Sequence, residues 1–122
     1  MKIFLYSPAG DLSGDRLGQQ IKANLPEAGM VVCRTLSDLS QSLRQPEEDL
    51  GVAVLIVSDQ EDLQNIISIR HLFQTIRIIL LLPNKEPETV VMAHQLRPRF
   101  LTGRNSDLAE VTAVLKKMFK DR

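Results

Sequence analysis

The chain has 122 residues, 43% hydrophobic and 25% charged, and its 15 basic and 15 acidic residues cancel to a formal net charge of +0. Those values suit one globular domain over residues 1–122 and exclude a disordered tail-like chain. The neutral balance gives no electrostatic ground for binding nucleic acid or an anionic membrane.

Two hydrophobic periods alternate along the chain. Ile3-Phe4-Leu5-Tyr6 is a short apolar run stopped by Ser7-Pro8, the first expected strand. The loop "SPAGDLSGDRLG" follows, with Gly10 and Gly14 read as turn residues and Ser13 as a helix cap. Leu17, Ile21 and Leu25 recur every four residues, one face of a first helix. Met30 to Cys33 is a second strand, opened by the turn signal Pro26 to Gly29. Leu36, Leu39 and Leu43 mark a second helix, with Thr35 or Ser37 as its cap. The polar stretch "RQPEEDLG" reads as a surface loop.

Val52 to Val57 is a third strand, apolar on both faces, and it ends in Ser58-Asp59. Leu63, Ile66, Ile67 and Phe73 form the stripe of a third helix. Ile76 to Leu82 is a fourth strand. Pro87 suits the first position of a fourth helix carrying Val90, Val91 and His94. Phe100-Leu101 is a weak fifth strand, and Ser106 a cap for a last helix with Leu108, Val111, Leu115 and Met118. Asp107 and Glu110 at its start, with Lys116, Lys117 and Lys120 near its end, match the helix dipole.

Runs apolar on both faces, alternating with helices, predict a parallel sheet covered on each side. The expected fold is an α/β three-layer sandwich of (βα)5 type, flavodoxin-like, with strand order 2-1-3-4-5 and right-handed crossovers. Ligand chemistry in such folds gathers at the C-terminal edge of the sheet, which would collect Ser7, Asp59, Pro83 and Thr102.

This pattern resembles the receiver domain of bacterial two-component response regulators over nearly the whole chain. "MKIFLYSP" is similar to that family's first strand, "VVCRTLSDLSQSL" to its second strand and helix, and "VAVLIVSD" to its third strand. "IRIILLLPNKEPETVVMAHQLRPRFL" is similar to strand 4 through strand 5, and "DLAEVTAVLKKM" to the last helix. The resemblance implies a phospho-acceptor aspartate at Asp59. It also implies two Mg²⁺-binding acids at the end of strand 1, a hydroxyl at the end of strand 4 and a lysine at the end of strand 5. Here the acid pair falls on Ser7 and Pro8, the hydroxyl on Leu82 or Pro83, and the lysine on Gly103. Without the acids little remains to hold Mg²⁺, and transfer to a carboxylate then meets unscreened repulsion. Asp11 and Asp15 could restore a metal site only if the first loop folded back. Asp59 has a simpler role as an N-cap, with Asp62 as the acidic partner of a capping box.

The expectation is therefore a degenerate, pseudo-receiver signalling domain. It would work through protein partners or as a homodimer, not as an enzyme, with no cofactor and no metal. The resemblance puts the interaction surface on helix 4, strand 5 and helix 5, including Arg97, Arg99, Phe100 and Arg104. Two alternatives stay open. One is an atypical phospho-receiver using Asp59. The other is a flavodoxin-like binder of a nucleotide, flavin or sugar nucleotide at Ala9–Gly14; "AGDLSGDRLG" is locally similar to the opening loop of lipid-A-disaccharide synthases.

The other polar residues read more simply. His71 and His94 lack the spacing of a zinc pair and read as surface histidines. Cys33 is expected to be a buried inert thiol, and a lone cysteine fits a reducing, cytoplasmic setting. The longest apolar run, Ile78 to Pro83, is too short to cross a bilayer, and "MKIFLYSP" lacks the features of a signal peptide.

Overall fold

A computed structural model of the chain describes residues 2–8, 12–45, 51–103 and 108–120. Five strands alternate with five helices: β1 Lys2–Tyr6, α1 Leu12–Asn24, β2 Gly29–Cys33, α2 Leu36–Arg44, β3 Gly51–Ile56, α3 Gln60–Ser68, β4 Ile76–Leu82, α4 Pro87–Ala93, β5 Phe100–Gly103 and α5 Leu108–Lys120. Short 3-10 turns follow α3 at Arg70–Phe73 and α4 at His94–Leu96. All strands pair in parallel, in the order β2-β1-β3-β4-β5. This is the flavodoxin-like α/β sandwich that the alternation of periods predicts.

The period of two along each strand divides the core into two layers. Phe4, Tyr6, Ala53, Leu55, Ile78 and Leu80 pack with Leu39 of α2, Leu63 and Ile66 of α3 and Ala93 of α4. Their neighbours Ile3, Leu5, Val52, Val54, Ile79 and Leu81 pack with Leu17 and Ile21 of α1 and Val111 and Leu115 of α5. β3 is buried at every position because both layers cover it.

Several local expectations need correction. Helix α1 begins at Leu12, so Ser13 lies inside it and is not its cap; Gly14 is likewise a helical residue and not a turn. The third apolar stripe is not one helix: α3 stops at Ser68, and Phe73 reaches the core from the 3-10 turn. Helix α4 is seven residues long, so His94 falls in the following 3-10 turn, and Val91 is 68% exposed. Thr35, not Ser37, caps α2, its side chain accepting from Asp38 N–H at 3.0 Å. Pro87 takes the first position of α4 as expected. Residues 46–50 of the polar connector and the Ser106-Asp107 cap lie outside the described residues.

Candidate functional site

The C-terminal edge of the sheet brings together the ends of β1, β3, β4 and β5. Ser7 N–H donates to Cys33 O at 2.9 Å, and Val57 N–H to Leu81 O at 2.9 Å, so the ladder runs one residue past β1 and β3. Helix α3 then starts immediately at Gln60. No loop separates it from Asp59.

Asp59 is the N-cap of α3. Its backbone is extended, and its Oδ1 accepts from Asp62 N–H at 2.7 Å, satisfying one of the donors that every helix start leaves open. Asp62 does not return the bond to the cap, as a capping box would. It reaches one residue further back, where Oδ2 accepts from Ser58 N–H at 3.0 Å and from Ser58 Oγ at 3.1 Å. Its other oxygen accepts from Tyr6 Oη at 2.7 Å. Tyr6 is 4% exposed. Burial first, then the bond to Asp62 and the negative charges of Asp62 and Asp59, hold its phenol well above the ordinary tyrosine range. Asp59 thus fixes the start of α3, and Asp62 ties the β3–α3 junction to β1.

The positions of the missing partners explain themselves in three dimensions. Ser7 is 0% exposed, and among the described residues its Oγ has no hydrogen-bond partner. The side chain turns beneath α1: a Cβ built on Gly14 would overlap Ser7 Oγ and lie 2.5 Å from Ser7 Cβ. It faces the helix and not the open edge. Pro8 and Pro83 follow the ends of β1 and β4, and Gly103 ends β5. None of these three carries a side-chain oxygen or charge. Asp15, on α1, pairs with Arg34 at 3.0 Å; Asp11 lies outside the described residues. Among the described residues no three groups of His, Cys, Asp or Glu come together as a metal site. The described residues of this edge therefore do not fit a divalent cation, which needs several hard oxygen donors.

One hydroxyl at this edge was not legible in the sequence. Thr89 of α4 is fully buried, and its Oγ1 accepts from Gln60 Nε2 at 2.9 Å, joining the start of α3 to α4. Nothing in the spacing of residues 60 and 89 announced the pair.

The arginines grouped by sequence near β5 separate in space. Arg97 lines a cavity with the two 3-10 turns, whereas Arg99 lines another with Arg77 and residues of α5. Phe100 is half-buried and packs against the α1/α5 layer. Arg104 lies outside the described residues, as do Ala9 and Gly10 of the first loop. Cys33 is fully buried; desolvation raises its thiol pKa, Asp38 adds to the rise, and the contact with Ser42 at 3.7 Å offsets part of it.

No protein-family model matches the chain, and no curated protein sequence does. Solved structures do. A response regulator from Thermotoga maritima superposes with a TM-score of 0.70 at 14% identity, covering 98% of each chain. A CheY-like response regulator from Mesorhizobium loti gives 0.69 at 18% identity, over 94% of this chain and 95% of that one. A two-component response regulator from Clostridium difficile gives 0.69 at 16%, over 98% and 96%. With the strand order and the two-layer core, these likenesses establish that the chain has the fold of response-regulator receiver domains.

Proposed function

We propose that the chain is a pseudo-receiver: a single signalling module that acts by binding protein partners and not by accepting a phosphoryl group. The observation that carries this reading is Ser7. The first acid position of the receiver pattern holds a side chain turned under α1 and packed on Gly14. A carboxylate there would be buried against α1 and would carry a desolvation cost. Asp59 is meanwhile committed to its cap, and Asp62 to Tyr6 and Ser58. With no phosphoryl group to favour one of two states, the domain is held in one conformation. Its partner surface is then constitutive. By analogy with receivers, that surface is α4, β5 and α5, where the chain would meet a signalling partner or a second copy.

The test is intact-mass spectrometry after incubation with a small acyl-phosphate donor and Mg²⁺. The expected result is an unchanged mass. Addition of one phosphate that disappears in Asp59→Asn would overturn the reading in favour of an atypical phospho-receiver. The binding half is tested separately, by sedimentation and affinity capture. A chain that neither self-associates nor retains any protein would count against it.

A further inference from the structure

At the opposite end of the sheet, beside the first residue of β4, lies a cavity of about 770 Å³. Its floor is apolar: Phe73 is 5% exposed and Leu96 6%, with Ile76 alongside. Its rim is cationic or imidazole-bearing, formed by Arg70 and His71 from one 3-10 turn, His94 from the other and Arg97 directly after it. Among the described residues no carboxylate lines it. Ligand pockets commonly measure about 300–1,000 Å³ and combine an apolar lining with a few convergent polar groups.

Arg97 supplies an independent observation. Its φ of 50° and ψ of 55° make it the one non-glycine residue with positive φ among the described residues. It ends the His94–Leu96 turn, a position that favours Gly or Asn. It also precedes Pro98, where extended backbone is preferred. An arginine there departs from both preferences, and the same backbone brings it to the cavity wall. Strain of this kind concentrates at functional sites. Arg70 donates Nη1–H to Gln95 Oε1 at 3.3 Å, which leaves other donors of its guanidinium for a ligand.

We propose that this cavity binds a small organic anion. Arg70 and Arg97 hold its carboxylate or phosphate head, and its apolar body rests on Phe73, Ile76 and Leu96. The apolar floor beside the two arginines favours such a ligand over a bare inorganic ion. The concavity favours it over an acidic peptide, which needs a longer track.

The experiment is an NMR titration of the whole chain with 1-naphthyl phosphate, run beside 1-naphthol, inorganic phosphate and a polyglutamate peptide. Saturable shifts at the amides of Phe73, Ile76 and Leu96 are expected with 1-naphthyl phosphate, and much weaker ones with 1-naphthol and phosphate. Arg97→Asn should weaken binding by about tenfold, the loss of one charge-assisted contact. Its melting temperature should hold or rise, because Asn accepts left-handed backbone. Arg70→Gln, a change on an exposed side chain, should weaken binding similarly. The proposal fails if 1-naphthol or phosphate binds equally well, if the shifts map elsewhere, or if both arginine variants bind as the wild type does. It also fails if only the peptide shifts these amides, which would make the face a protein-docking surface.

Discussion

Removing the Tyr6 hydroxyl tests whether the β3–α3 junction is held to β1 as described. In Tyr6→Phe, a bond of 2.7 Å from a buried phenol to a carboxylate disappears. Hydrogen bonds to charged groups contribute about 1.5–3 kcal/mol. Asp62 is only half-buried and keeps both contacts to Ser58, so water can reach its freed oxygen. The loss should therefore fall at the low end, about 1.5 kcal/mol. Asp62→Ala is harsher. It strands a buried phenol and releases the Ser58 amide, for a loss of about 2–4 kcal/mol. Both substitutions break the same bond, so the double variant should lose about 1–2 kcal/mol less than the sum.

Urea unfolding followed by far-ultraviolet circular dichroism measures all three. The pH dependence provides a second check. Because the folded phenol titrates above the unfolded one, its contribution is complete below the unfolded pKa of about 10. Above that pH it is lost, at up to about 1.4 kcal/mol per pH unit, until the higher folded pKa is passed. The stability advantage of the wild type over Tyr6→Phe should thus shrink as the pH rises past about 10. Additive losses, or an advantage that does not change with pH, would refute the reasoning.

Three further outcomes follow from the same edge. Gly14→Ala forces a methyl group into Ser7 and should destabilise by about 1–3 kcal/mol, the usual range for overpacking; Ser7→Gly in the same chain should recover part of the loss, read as the shift in urea midpoint. Asp59→Ala should lose about 1 kcal/mol through the missing cap, whereas Asp59→Asn, also a good cap, should stay within a few tenths; thermal unfolding distinguishes them. Cys33, buried and with its thiol pKa raised, should react with an aromatic disulfide reagent only as fast as the domain opens. A rate that rises in step with urea supports this, and immediate reaction in the native state contradicts it.

The sequence by itself determined the fold. Apolar runs of strand length, alternating with four-residue stripes such as Leu17-Ile21-Leu25, leave a covered parallel sheet as the consistent solution. It also determined the cap at Asp59, because capping is a local reaction between residues three apart. Elements whose ends depend on distant packing were less legible. Phe73 fits the stripe of α3, yet it enters the core only after the helix has ended, since Ile69 and Leu72 turn the chain toward β4. What only the tertiary structure decided were contacts between residues on different elements. Tyr6 meets Asp62, Gln60 meets Thr89, and Ser7 meets Gly14 through a strand–helix approach with no sequence period of its own. The histidines at 71 and 94 read as unrelated surface residues, but two 3-10 turns set them on the rim of one cavity. Hydrophobic period specifies which face of an element is buried. It carries no information about which polar side chains the packed elements bring within reach of one another.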